Sequence, residues 1–136
     1  MTDEELKRVI ADAVHMAVDE TVYKLSTRRL LKDDQKTGIE KIEGLLRYYP
    51  LAKKLTDDKY AQRIVSQLDA ALAEISDDPY YDIIVMTYFH GELRETIADA
   101  FGTSVTTVSR NKKRLLVELE KRITPSDFII ELLDCV

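Results

Sequence analysis

The chain has 136 residues, of which 45% are apolar and 33% charged, and its formal net charge is −5. This composition excludes wholesale disorder, and the length suits one domain, or one domain with an appended arm. Because the chain has four glycines and three prolines, it has more room for long helices than for a many-turned β sandwich. We therefore expect an all-α fold, a helical bundle.

The cysteine content and the first residues bear on the compartment. The single cysteine, Cys135, excludes an internal disulfide and a multi-cysteine zinc site, and it fits a reducing cytoplasm. The chain opens with acids rather than with a basic and then apolar secretory pattern. No apolar run approaches the roughly 18 residues that a membrane span needs. We expect a cytoplasmic protein with no membrane partner.

The first predicted helix begins at Asp3, because Thr2 and Glu5 form a capping box. Apolar residues then recur at helical spacing as far as Leu25, which predicts a helix of roughly 22 residues with a broad apolar stripe. The pattern weakens over residues 26–28 and breaks at Asp33. Residues 1–32 thus form an N-terminal helix or arm, whose stripe packs either on the rest of the chain or on a partner helix.

Residues 33–78 are predicted to be a helical spacer. One amphipathic helix runs from about Lys36 to Tyr49, where Pro50 interrupts it, and another follows Asp58 as far as Ile75. The three Asp-Asp pairs of the chain lie at helix boundaries, where carboxylates accept hydrogen bonds from free N–H groups. We therefore interpret these pairs as caps rather than as metal ligands or acid–base groups.

Residues 79–123 are predicted to form a further helical domain. Pro79 opens a very apolar helix, roughly residues 80–89, that should be buried on most sides. A second helix would end at Gly102, where a left-handed backbone meets no Cβ clash, and Ser104 would cap the next helix. That last helix carries a stripe of Val105, Val108, Leu115 and Leu119. The spacing predicts a helix-turn-helix with a tight turn, so we expect residues 79–123 to be a DNA-binding domain.

The opposite face of the last helix carries the residues expected to bind DNA. At about 100° per residue, this face holds Thr106, Thr107, Arg110, Lys113 and Arg114. Small hydroxyls ahead of long cations suit a helix that enters the major groove N-terminus first, so that Thr106, Thr107 and Arg110 reach base edges. Phosphate contacts would come from Ser104, Lys112, Lys113 and Arg114.

The charge distribution favours the same conclusion. The segment from Ala100 to Val117 contains Arg110, Lys112, Lys113 and Arg114 and no acid, although the whole chain is acidic. A local basic patch on an acidic protein attracts polyanions to one surface. The alternative interpretation of the charge alone is a solvated helix face that happens to be basic.

The same segment resembles a known family. From Gly91 to Leu116 the chain is similar to region 4 of bacterial sigma factors and related regulators, and the matching residues are Gly91, Ile97-Ala98, Gly102, Ser104, Thr107-Val108 and Arg110. Over a wider span it resembles the small phage late-gene transcriptional regulators of the ArpU/RinA type. That match includes Leu45-Leu46-Arg47-Tyr48-Tyr49-Pro50 and Tyr80-Tyr81-Asp82-Ile83-Ile84.

The resemblance implies sequence-specific binding to promoters in double-stranded DNA and activation of phage late genes. It also implies contact with host RNA polymerase, and a place in the cytoplasm of a bacterial host cell. No aromatic, basic strand-melting segment like sigma region 2 is present, so an accessory activator is favoured over a complete sigma factor.

Both ends of the chain are candidate dimerisation elements. Residues 124–136 form an apolar C-terminal tail, and seven of its last nine residues, from Phe128 to Val136, are apolar. Such a tail either folds back on the core or joins a partner. A homodimer through the Asp3–Leu25 helix or through this tail would double the phosphate contacts.

Two other classes of protein compete with a transcription regulator. A DNA-packaging protein such as a small terminase subunit also joins a helix-turn-helix to helical oligomerisation segments. A helical protein–protein adaptor would keep the fold without binding specific DNA. We expect no enzyme, since we find no nucleophile–base pair, phosphate loop or metal-ligand spacing, and we expect no cofactor or metal.

Overall fold

The computed structural model describes residues 2–33 and 35–123, apart from the side chains of residues 16–19 and 26. Every regular element in this part of the chain is helical, which confirms the all-α prediction. The elements are α1 (Asp3–Lys32), α2 (Gly38–Lys54), α3 (Lys59–Ile75), α4 (Asp82–Ile84) with a π-helical segment (Val85–Phe89), α5 (Arg94–Phe101) and α6 (Val105–Arg122). None of these helices is long and apolar enough to cross a membrane.

Helix α1 begins where the sequence predicts, but it is longer than expected. The Thr2 hydroxyl accepts the Glu5 N–H at 3.2 Å and the Glu5 carboxylate accepts the Thr2 N–H at 3.0 Å, so the capping box is present. The prediction that the helix ends near Leu25 is wrong, because α1 continues to Lys32. Its last turns are held by burial: Thr27 is fully buried and donates a hydrogen bond to the Tyr23 carbonyl.

Helix α2 contradicts the expected break at Pro50, since it passes through this residue and ends at Lys54. Pro50 has no N–H to donate to the carbonyl one turn earlier, which would weaken an isolated helix. Here Tyr49 and Ala52, on either side of it, are buried in the core. Tertiary packing therefore carries the helix across the missing bond.

The predicted cap before α3 is confirmed, but the predicted helix start at Asp78 and Pro79 is wrong, because α4 begins at Asp82 and no side chain caps it. The Asp58 carboxylate accepts the Ala61 N–H at 3.0 Å at the start of α3. The Asp78 carboxylate accepts the Tyr80 N–H at 2.9 Å before α4. Asp34, in the first Asp-Asp pair, lies outside the described residues.

The apolar helix predicted for residues 80–89 begins at Asp82, and its second part is π-helical. The His90 N–H bonds to the Val85 carbonyl at 3.1 Å, five residues back. Ile83, Ile84 and Tyr88 are buried, so the predicted burial is confirmed for these side chains.

The buried apolar side chains form two clusters, and α6 belongs to both. Its C-terminal half packs Leu115, Leu116 and Leu119 into the larger cluster, which is built mainly from α1, α2 and α3. Its N-terminal half contributes Val108 to a smaller cluster with Ile83, Ile97 and Ala98. The predicted division into residues 33–78 and 79–123 is therefore crossed by a shared core.

The apolar tail, residues 124–136, lies outside the described residues. The dimer predicted through this tail therefore stays a prediction.

Candidate nucleic-acid interface

A three-residue turn joins α5 to α6. Gly102 has φ 62° and ψ 37°, a left-handed conformation that glycine adopts without a Cβ clash. The Gly102 N–H bonds to the Asp99 carbonyl at 3.1 Å, and the Thr103 N–H bonds to the Ala98 carbonyl at 3.0 Å. The Ser104 hydroxyl then accepts the Thr107 N–H at 3.2 Å. Gly102 therefore ends α5 and Ser104 caps α6, as the sequence predicts.

Small and aromatic side chains fix α5 against the N-terminal half of α6. Ile97, Ala98 and Val108 are all buried in one cluster. The Phe101 ring stacks on Tyr80 with ring centroids 5.7 Å apart. This packing means that the N-terminal half of α6 is held against another helix.

The buried stripe of α6 is close to the predicted one. Val108, Leu115 and Leu119 are at most 1% exposed, and Val105 is half-buried. Helix α6 runs from Val105 to Arg122 without a break, so the buried stripe lies along one continuous helix. The rotation of α6 about its axis is thereby set, and with it the side that faces solvent.

The seven predicted DNA-binding residues all lie at the start of α6 or on its first ten residues. Five are exposed: Ser104, Thr106, Arg110, Lys113 and Arg114. Thr107 and Lys112 are half-buried. Lys112 follows Val108 by one turn and therefore lies beside the buried stripe rather than on the opposite face. We call the solvent side of α6 with Thr106, Thr107, Arg110, Lys113 and Arg114 the polar face.

Arg114 differs from the other cations of the polar face because a carboxylate already holds it. Its guanidinium bonds to both Asp78 oxygens, at 2.8 and 3.0 Å, and its Nε donates to the Asn111 side chain at 3.3 Å. The hydrogen bonds from Arg114 lower the pKa of Asp78, and the same contact raises the pKa of Arg114. A phosphate group would have to compete with Asp78 for this arginine.

The side chains of Arg110, Lys112 and Lys113 form no hydrogen bond or ion pair within the described residues. Their charges are therefore not neutralised by that part of the chain. The cations further along α6 are paired, because Glu118 forms ion pairs with both Lys121 and Arg122 at 3.1 Å. These two cations lower the pKa of Glu118. The unpaired positive charge of α6 is thus concentrated before Arg114.

Sequence reasoning missed Arg94 as a member of this surface. Arg94 is the first residue of α5 and is exposed, and its guanidinium donates to the Ser109 hydroxyl at 3.2 Å. Ser109 immediately precedes Arg110, so the contact adds a cation from α5 to the basic region of α6. The only sequence signal was an arginine at a helix start, and only the packing of α5 on α6 shows which residue it meets.

The outer side of α5 has the opposite charge, because Glu95 and Asp99 are both exposed there. A polyanion is therefore favoured on the polar face of α6 and disfavoured on the exposed acids of α5. Among the described residues, no group of three or more His, Cys, Asp or Glu side chains is arranged to hold a metal ion.

Comparisons of the chain with protein-family models, curated proteins and solved structures give no match.

Proposed function

We propose that this chain is a sequence-specific DNA-binding regulator of transcription, in which α5 and α6 form a helix-turn-helix and α6 enters the major groove of double-stranded DNA. One observation carries the proposal. The buried stripe and the polar face lie on opposite sides of the same helix, and the segment from Ala100 to Val117 has four cations and no acid. A helix built this way is anchored by one side and offers hydroxyls and cations to a polyanion on the other.

The exposure of each side chain assigns the proposed roles. Thr106 and Arg110 are exposed near the N-terminal end of α6, where a recognition helix contacts base edges. Lys113 lies one turn beyond Ser109 and would contact a phosphate. Ser104 and the free N–H groups at the helix start would bind a second phosphate.

Lys112, Arg114 and Arg94 have supporting roles in this proposal. Lys112 lies at the side of α6, so it would reach a phosphate at the edge of the groove. Arg114 would contribute only when the DNA backbone displaces Asp78. Arg94 would contact the DNA backbone from the start of α5 while its guanidinium keeps its hydrogen bond to Ser109.

The biological setting is proposed from the resemblance to sigma region 4 and to ArpU/RinA-type regulators. On that basis the chain activates phage late genes together with host RNA polymerase, and it acts in the bacterial cytoplasm. The polymerase contact is tested separately from DNA binding, by transcription in vitro from a selected site with bacterial polymerase. The proposal predicts more transcript when the protein is added; an unchanged or reduced yield would contradict activation.

DNA binding is tested by selecting bound duplexes from a random library and then measuring the enriched duplex against a scrambled one. Fluorescence anisotropy across a salt series gives the affinity of each. We expect a preference of about 10³ or more for the enriched sequence. We also expect the logarithm of the affinity to fall linearly with the logarithm of the salt concentration. The slope should be about −0.9 for each phosphate contact. No enrichment, with equal weak binding to both duplexes, would contradict the proposal.

A further inference from the structure

Much of α1 exposes an apolar stripe. Leu6, Ile10 and Val14 follow one another at one-turn spacing and are 48%, 55% and 57% exposed. Leu25, about three turns after Val14, is 65% exposed on the same side of the helix. Helices in proteins owe most of their stability to the packing of such a face, so the stripe calls for a second surface.

The charges of α1 are separated along its length. Residues 3–20 carry six acids and two Lys or Arg, whereas residues 21–32 carry four Lys or Arg and no acid. Lys24 is already paired with Glu20 and Asp58, both at 3.1 Å. Arg29 and Lys32 are exposed near the C-terminal end. A second α1 lying antiparallel would place its acidic half beside these cations, while a parallel one would place like charges together.

A groove of about 970 Å³ continues the stripe between the C-terminal half of α1 and α2. Among the described residues, its apolar lining includes Leu25, Leu30 and Tyr48, and its charged lining includes Arg29, Lys36, Arg47 and Asp33. Arg47 also forms an ion pair with Glu43, with an N···O distance of 3.4 Å. The groove is therefore apolar and basic, which matches a helix that is apolar and acidic.

We propose that this chain forms a symmetric antiparallel dimer through α1, in which the acidic N-terminal half of each α1 packs on the stripe and the basic groove of the other copy. The occupant of the groove is a second copy of this chain. Such an interface is self-complementary, as a two-fold dimer requires. The dimer does not depend on DNA binding, so the failure of either proposal leaves the other standing.

The oligomeric state of the full chain tests the apolar part of the proposal. Sedimentation velocity over a wide range of concentration should show a reversible dimer. Ile10→Glu should weaken dimerisation by about tenfold or more, because it buries a carboxylate among the apolar side chains of the stripe. His15→Glu is the matched control: it adds the same side chain to an exposed position on the same helix, away from the stripe, and should leave the dimer intact.

Charge exchange tests the orientation. Asp3→Lys with Glu4→Lys should weaken the dimer, and so should Arg29→Glu with Lys32→Glu. A chain that carries all four substitutions restores opposite charges between antiparallel copies, so it should dimerise again. Restoration by the quadruple variant is the result that a parallel dimer cannot give.

Three results would overturn the proposal. One is a monomer at every concentration. Another is equal weakening of the dimer by Ile10→Glu and His15→Glu. The third is a dimer that is lost in the tail variant Leu132→Asp but kept in Ile10→Glu, which would make the C-terminal tail the interface. Circular dichroism of each variant excludes loss of the fold as the cause.

Discussion

The guanidinium of Arg114 makes two hydrogen bonds to the carboxylate of Asp78, at 2.8 and 3.0 Å, and so ties α6 to the turn that precedes α4. Asp78 also accepts the Tyr80 N–H. One carboxylate therefore caps a turn, fixes a helix and occupies a cation that the DNA-binding proposal assigns to phosphate. Under that proposal, stability and DNA affinity are coupled at Asp78.

The first prediction concerns acid. Because Arg114 lowers the pKa of Asp78 in the folded protein, the ion pair stabilises the fold above the ordinary carboxylate pKa, and this contribution is lost as the pH falls through the folded value. Asp78 is 21% exposed and Arg114 45% exposed, so the contribution is at most about 1 kcal/mol. The free energy of urea unfolding should differ between the native protein and Asp78→Asn at pH 7, and the difference should shrink by pH 3. A difference that stays constant over this range would contradict it.

The second prediction uses the same variant to measure DNA affinity. Asp78→Asn keeps a side-chain acceptor for the Tyr80 N–H but removes the charge that holds Arg114. We expect its affinity for a selected duplex to rise several-fold and its salt dependence to steepen by about one phosphate contact. Asp57→Asn, which removes an exposed acid elsewhere, is the control. An equal gain in both variants would mean that net charge, rather than release of Arg114, is responsible.

The third prediction tests whether α6 is part of the main core. Leu115 is 1% exposed in the cluster built on α2 and α3. Leu115→Ala should lower the free energy of unfolding by about 2–5 kcal/mol, because it leaves a cavity. Leu93→Ala, at a leucine that is 70% exposed, should change it by less than about 0.5 kcal/mol. Similar small losses in both variants would show that α6 is not packed as described.

The fourth prediction separates capping from DNA contact at Ser104. Ser104→Ala should lower the free energy of unfolding by about 1 kcal/mol, since the Thr107 N–H loses its partner. Ser104→Asp keeps the cap and should leave stability nearly unchanged, but its carboxylate would repel a phosphate at the helix start. Its DNA affinity should therefore fall further than that of Ser104→Ala. The reverse order would place the N-terminus of α6 away from the backbone of the DNA.

Features set by neighbouring residues in the chain could be predicted from the sequence. The caps at Thr2 and Ser104 and the left-handed Gly102 depend on a few adjacent residues, and the stripe of α6 depends on spacing alone. Features set by packing could not. The passage of α2 through Pro50 and the extension of α1 to Lys32 are stabilised by buried side chains that lie far apart in the sequence.

The same distinction between features set by neighbouring residues and features set by packing holds for the candidate site. Periodicity predicted which side of α6 would face solvent. Sequence gave no means of pairing Arg114 with Asp78, 36 residues earlier, or Arg94 with Ser109, because both contacts depend on how α4, α5 and α6 pack. The charge that each arginine offers to a ligand is therefore known only from the structure.

Arg110→Ala tests most directly whether the polar face of α6 binds a specific DNA sequence. Arg110 is exposed in the middle of that face, and Arg8 is another exposed arginine, on α1. The account predicts that Arg110→Ala weakens binding to the selected duplex by about 1–3 kcal/mol and reduces the preference over the scrambled duplex. It predicts no comparable change for Arg8→Ala. Unchanged affinity and preference in Arg110→Ala, in a protein that still binds DNA specifically, would contradict the account.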